Sequence, residues 1–113
     1  MWLADAAGKL LKFTAADLGM SGSPTPVVTI TATTVMTPDG MAISLYFPEG
    51  LAFEPAGNPW VANLESNNTG SIAEFTPSQL ASYGNPSPAV FLDPDIFGTN
   101  IHAPSLISFD PIS

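Results

Sequence analysis

The chain has 113 residues, 45% of them hydrophobic, which is long enough for one folded domain but too short for two with separate cores. Ten acidic residues stand against two lysines and no arginine, and the net charge is −8. Nucleic acids and anionic membranes are bound through clustered Lys and Arg, so we expect neither as a partner. The absence of cysteine excludes disulfides, thiolate metal ligands and cysteine nucleophiles.

The predicted elements in the first part of the chain are short β-strands separated by turns. A strand at residues 2–4 is followed by residues 8–13 and by a threonine- and valine-rich stretch at 27–34, which has high β-propensity. The sequence Thr-Pro-Asp-Gly at 37–40 predicts a turn before the next strand.

The second part of the chain has the same kind of elements. Strands are predicted at 50–53, 60–64, 71–75 and 89–92, and turn sequences lie at 54–59 and 66–70. Thr76 with Pro77 and Gln79 is typical of the start of a short helical turn. Residues 84–88 are a Gly- and Pro-containing linker, and a last strand is predicted within 104–111.

These elements form an internal repeat. Residues 8–28 align with residues 70–90 without a gap, and eight of the twenty-one aligned positions are identical. Trp2 corresponds to Trp60, and the Phe-Glu-Pro sequence at 53–55 corresponds to Phe-Asp-Pro at 109–111. A period of this size indicates units stacked side by side.

The repeat predicts an all-β fold made of two four-stranded antiparallel β-propeller blades whose start is permuted. We assign residues 1–113 to one partial propeller domain, with approximate repeats at 1–47 and 48–103 and a final inner strand at 104–111. The aromatic residues at repeated positions are expected to pack in the core between blades. They are Trp2, Trp60, Phe13, Phe75, Phe53 and Phe109.

Residues 48–63, Pro-Glu-Gly-Leu-Ala-Phe-Glu-Pro-Ala-Gly-Asn-Pro-Trp-Val-Ala-Asn, resemble the blade signature of NHL-repeat propellers and of the related gluconolactonase-like and streptogramin-lyase-like families. Residues 75–88 are similar to a segment of bacterial, often exported, members of that group. The family's usual Asp after the strand is here Glu54, and its usual Leu or Ile before Trp is Pro59. The resemblance implies a propeller fold and leaves the function open, because blades support both enzymes and binding scaffolds.

The resemblance also implies a candidate metal site. Glu49 is similar to the acid that gluconolactonase-like proteins use to hold a divalent cation, and Asn63, near the same strand end, is a candidate for a second oxygen ligand. Calcium or another divalent cation would be the cofactor, although calcium takes six to eight oxygens and two candidates do not fill its shell. Residues 93–100 only faintly resemble a cation loop and are interpreted as a solvated turn.

No catalytic group is predicted. The single histidine, His102, is interpreted as a surface or loop residue, and residues 19–23 lack the last glycine of a nucleophile elbow. Residues 67–69, Asn-Asn-Thr, form a glycosylation triplet that has meaning only in a eukaryotic secretory protein.

The sequence therefore predicts a non-enzymatic propeller module, extracytoplasmic although without a signal peptide, that binds a protein, glycan or small molecule. The alternative is a divalent-cation-dependent lactonase-like or lyase-like enzyme whose remaining site residues lie on other blades. Propellers close with four to eight blades and this chain supplies two. Two explanations follow: the chain is a fragment of a larger propeller, or three copies assemble head to tail into a six-bladed ring.

Overall fold

The computed structural model describes residues 1–19, 21–31, 35–36, 42–43, 45–64, 70–81, 83–92 and 101–111. The all-β prediction is confirmed for these residues, whose regular elements are antiparallel strands and one 3₁₀ turn at Asp17–Gly19. The strands are β1 (Trp2–Asp5), β2 (Lys9–Lys12), β3 (Val28–Thr31), β4 (Val35–Met36), β5 (Ala42–Ile43), β6 (Phe47–Phe53), β7 (Pro59–Leu64), β8 (Gly70–Glu74) and β9 (Val90–Leu92).

Two sheets contain most of these strands, and each follows the order of the chain. Sheet 1 has the order β1-β2-β3 and sheet 2 the order β6-β7-β8-β9, while β4 and β5 pair separately. A tight turn joins β1 to β2, where Gly8 has a φ of 79° and donates its amide to the carbonyl of Asp5 at 3.0 Å. Only glycine adopts this φ without steric cost, which explains why the chain has a glycine at this turn.

The internal repeat is visible in the register of the two sheets. Trp2 lies opposite Lys12 in sheet 1, and Trp60 lies opposite Glu74 in sheet 2. The strands β1, β2 and β3 thus correspond to β7, β8 and β9, and β6 has no counterpart among the described strands of sheet 1. The proline of β7 occupies its first residue, a position at which a strand tolerates the missing amide.

The connections outside the strands repeat the same hydrogen bonds. The hydroxyl oxygen of Thr14 accepts a hydrogen bond from the backbone amide of Asp17 at 3.2 Å, and the backbone amide of Thr14 donates one to the Asp17 carboxylate at 2.8 Å. In the second unit, Thr76 and Gln79 make the equivalent bonds at 3.4 and 2.8 Å. This reciprocal arrangement is a capping box, and it confirms the helical turn that the sequence predicts at residue 76.

The core lies between the facing surfaces of the two sheets. Leu10 and Ile30 lie opposite each other in sheet 1, and Val61 lies opposite Ala73 in sheet 2; each is at most 1% exposed. Fully burying a side chain such as Leu or Phe contributes about 1.5–3 kcal/mol. The buried core residues are Leu10, Val28, Ile30, Leu45, Val61, Ala73, Phe75, Leu80 and Phe91.

The other face of sheet 2 is crossed by residues 103–109. A Cβ atom built on Gly50 would lie 2.4 Å from the carbonyl oxygen of Ser105, and one on Gly70 would lie 2.0 Å from Cδ of Pro104. Further along, the rings of Trp60 and Phe109 meet edge-on with centroids 6.3 Å apart. Two glycines on one face therefore allow this backbone to lie directly on the sheet.

Residues 104–111 form no strand, although the sequence predicts a final inner strand there. A strand needs a neighbour for its backbone groups, and this segment rests on the face of sheet 2 instead of beside an edge. The prediction that the repeated aromatic residues pack in the core holds for Phe75, which is fully buried. It is wrong for Phe53 and Phe109, which are 44% and 38% exposed because no second sheet covers them in the described chain.

The outer edge of sheet 1 is covered by the linker of the second unit. Gly84 forms a parallel bridge with Ile30, and its carbonyl accepts from the amide of Thr31 at 2.9 Å. The neighbouring Tyr83 donates its hydroxyl to the carbonyl of Pro26 at 3.3 Å. The two units are therefore joined by backbone hydrogen bonds as well as by the core.

Candidate functional site

The two predicted metal ligands lie on the neighbouring strands β6 and β7. Pro48 pairs with Asn63 and Gly50 pairs with Ala62, so Glu49 is the extra residue of a β-bulge. A bulge redirects the side chain of the extra residue and is common beside functional sites. The backbone thus brings Glu49 and Asn63 to the same end of sheet 2.

The two side chains have different surroundings. Glu49 is exposed, whereas Asn63 is fully buried and its Nδ2 donates to Oγ of the equally buried Ser71 at 3.0 Å. This bond joins β7 to β8, so Asn63 has a structural role. No group of three or more His, Cys, Asp or Glu suited to a metal ion occurs within the described ranges. A cation at Glu49 and Asn63 stays a prediction and would need oxygen ligands from further residues.

An exposed aromatic pair precedes Glu49 at the start of β6. The rings of Tyr46 and Phe47 are 4.6 Å apart at an interplanar angle of 84°, and they are 49% and 39% exposed. The turn that ends at Gly8 packs here, since a Cβ on Gly8 would lie 2.8 Å from the carbonyl oxygen of Leu45. We call Tyr46, Phe47 and Glu49 the strand-end surface. It combines aromatic edges and faces with a solvent-accessible carboxylate.

A second polar group, which the sequence did not predict as a unit, lies at the opposite end of sheet 2. Nδ2 of Asn58 donates to the carboxylates of both Glu54 and Glu74, the latter at 2.8 Å. Nε1 of Trp60 donates to Oε2 of Glu54 at 3.4 Å. We call these four residues the carboxylate cluster. All four are half-buried, and their hydrogen bonds fix the β6–β7 turn against the end of β8.

The sequence contained part of the signal for this cluster. Glu54 stands in the Phe-acid-Pro repeat, and the aligned position of Glu74 carries Lys12 in the first unit. Direct cross-strand pairing of Trp60 with Glu74 follows from the strand register, which the sequence does not specify. A lysine in the first unit and a glutamate in the second give the two tryptophans different electrostatic neighbours.

A shallow pocket of about 380 Å³ lies beside the 3₁₀ turn. Its described lining residues are Ala16, Asp17, Ser21, Gly22, Ser23 and Pro24. Hydrogen bonds from the side chain and the backbone of Thr14 lower the pKa of Asp17. Because the Asp17 carboxylate already accepts hydrogen bonds from Thr14 in the capping box, we interpret this pocket as part of a structural turn.

The remaining sequence predictions fall outside this geometry. His102 is exposed, in agreement with a surface or loop position. The weak cation loop at 93–100 and the glycosylation triplet at 67–69 lie outside the described residues. Within the described ranges, no helix is both long enough and apolar enough to span a lipid bilayer. Comparison with protein-family models, curated proteins and solved structures gave no match to this chain.

Proposed function

We propose that the chain is a β-propeller-type module that binds a ligand as a scaffold and does not catalyse a reaction by itself. The observation that carries this proposal is the repetition of one hydrogen-bonded unit, with the two sheets packed face to face around a shared core. Blades of a propeller stack in this way and present their connecting loops at the two ends of the stack. The resemblance of residues 48–63 to NHL-type blades supports the propeller-type fold on which this proposal rests.

The strand-end surface is the ligand site that we favour. Aromatic rings at half exposure can stack on the apolar faces of sugar rings, and a nearby carboxylate accepts hydrogen bonds from hydroxyl groups. A chain of net charge −8 repels anionic ligands. Among a protein, a glycan and a small molecule, a neutral glycan therefore fits the described chemistry best.

Titration with neutral disaccharides, followed by amide NMR shifts, tests this site. We expect saturable shifts of the amides of residues 45–47 and 49, and loss of those shifts in Tyr46→Ala. Tyr83→Ala is the matched control, because Tyr83 is also exposed, at 64%, but lies next to the linker and outside the strand-end surface. Shifts that persist in Tyr46→Ala, or no saturable shift with any disaccharide tested, would contradict the assignment.

The second candidate is a divalent-cation-dependent lactonase-like or lyase-like enzyme, and the β-bulge at Glu49 favours it. A ligand that binds only the folded state raises the melting temperature, so calcium should stabilise the wild type more than Glu49→Gln if this candidate is right. Under the non-catalytic proposal, hydrolysis of δ-lactones equals the rate in buffer for both proteins. Glu49-dependent hydrolysis would replace the first proposal with the second.

A further inference from the structure

The outer faces of the two sheets carry residues equivalent to those that meet in the core between the sheets. Leu3 lies on the outer face of sheet 1 and corresponds in the repeat to Val61 of sheet 2. Val61 faces the core, where sheet 1 covers it completely. Leu3 itself is 46% exposed, whereas Val61 is 0% exposed. The outer face of sheet 1 is therefore built like a surface that the core of this same protein buries.

The outer face of sheet 2 shows the complementary relation. Val90 corresponds to Val28, and Ile72 corresponds to Leu10. Val28 and Leu10 are 8% and 1% exposed because they pack in the core, while Val90 is 37% exposed and Ile72 is half-buried. Placing the outer face of sheet 2 on the outer face of a second sheet 1 would reproduce the internal interface. The partner that fits both faces is a second copy of this chain.

The strand edges follow the same logic. In sheet 2, β6 pairs with β7, and β7 corresponds to β1, which is an edge of sheet 1 in the described chain. The repeat equates Phe53 of β6 with Phe109, so residues 103–109 correspond to β6. These residues already lie on the outer face of sheet 2 through their contacts with Gly50 and Gly70. They are positioned to pair with β1 of an added copy.

Charge distinguishes this junction from the internal one. Asp110 corresponds to Glu54, and Lys12 corresponds to Glu74. Inside the chain, two carboxylates are held together by the amide of Asn58. At a junction between copies, a carboxylate would meet an ammonium group, because Nζ of Lys12 lies 5.7 Å from the ring centroid of Trp2. Opposite charges at this place favour pairing between copies.

We propose that residues 103–110 of one copy pair with β1 of a second copy, with Asp110 placed against Lys12 and Trp2. This inference rests on the propeller-type function proposed above. Repetition of a head-to-tail junction closes a ring when the rotation between units allows it. Propellers close with four to eight blades, so two to four copies of a two-unit chain complete a ring, and three copies give six blades.

The test is the molar mass of the 113-residue protein, measured by light scattering over a range of concentrations. We expect the mass of a closed multiple of the chain, and a rise of roughly tenfold in the concentration of half-assembly for Lys12→Asp and for Asp110→Lys. The double variant Lys12→Asp/Asp110→Lys restores opposite charges and should assemble like the wild type. Ala16→Asp and Ala81→Lys, which place charges on exposed turn residues, are the controls.

Each outcome decides the inference. A monomer at all concentrations overturns it, as does a double variant that assembles no better than the single variants. The circular dichroism spectrum of each variant shows whether it is folded, and the rescue in the double variant cannot arise from a folding defect. A folded monomer that still binds disaccharide through Tyr46 would overturn the junction while leaving the proposed function standing. Assembly into a closed multiple without disaccharide binding would support the junction and contradict the proposed ligand-binding function.

Discussion

Substitution of Gly50 by alanine tests where residues 103–109 lie. The added Cβ would be 2.4 Å from the carbonyl oxygen of Ser105 and 3.0 Å from Cα of Leu106, whereas ordinary contact begins near 3.4 Å. Both neighbours are backbone atoms, so no side-chain rotation relieves the contact. Either the segment moves away by about 1 Å or sheet 2 bends by a similar amount.

The expected cost follows from this forced displacement. Inserting one methyl group into a packed contact typically costs about 1–3 kcal/mol. In a domain of this size, each kcal/mol lowers the melting temperature by roughly 4–8 °C. The φ of Gly50 lies outside the left-handed region, so the cost arises from the contact and not from backbone strain.

Urea unfolding followed by circular dichroism measures the free-energy difference, and tryptophan fluorescence reports on the contact between Trp60 and Phe109. Gly19→Ala is the matched control, because a Cβ at Gly19 has no neighbour within 4 Å. We expect that variant to be within about 0.5 kcal/mol of the wild type. If Gly50→Ala were as stable as Gly19→Ala and kept the wild-type fluorescence, residues 103–109 would not cross the sheet as described.

Three further predictions follow from single contacts. Hydrogen bonds from Thr14 lower the pKa of Asp17 in the folded state below its unfolded value of 3.8. The ionised carboxylate therefore stabilises the fold fully above pH 3.8, and this contribution is lost as the pH falls through the folded pKa. Asp17→Gln, which introduces the residue found at the equivalent position 79, should make acid unfolding less steep. Ser71→Ala removes the buried acceptor of the Asn63 amide and should lower the unfolding free energy by about 1–3 kcal/mol, whereas Ser71→Thr should retain part of it. Phe75→Ala leaves a cavity in the core and should cost about 3–5 kcal/mol in urea unfolding.

The strands and turns were predictable because their signals are local. Gly57, with a φ of 93°, closes the β6–β7 turn where the sequence predicts one, and the capping box at Thr76 needs only three residues to be recognised. The repeat then fixed which segments are equivalent. These features require no knowledge of how distant parts of the chain pack.

The contacts between elements were not predictable in the same way. The carboxylate cluster depends on the register that sets Trp60 opposite Glu74, and a shift of one residue would place them on opposite faces. The exposure of Phe53 depends on which sheet covers it, and an aromatic residue in a repeat does not reveal that. The sequence proposed Glu49 and Asn63 as a pair, but it does not specify that Asn63 is buried against Ser71 while Glu49 is exposed at a β-bulge.

The linker bridge at Gly84 has a consequence for how the protein folds. Its hydrogen bonds with Thr29 and Thr31 complete the outer edge of the first unit with backbone that belongs to the second. Strand β3, the outer strand of sheet 1, thus gains its second neighbour only after the linker of the second unit has packed against it. Stability in repeat proteins is a sum of unit and nearest-neighbour terms, and a strong neighbour term makes adjacent units unfold together. Hydrogen exchange at Thr31 should therefore report opening of the second unit as well as the first.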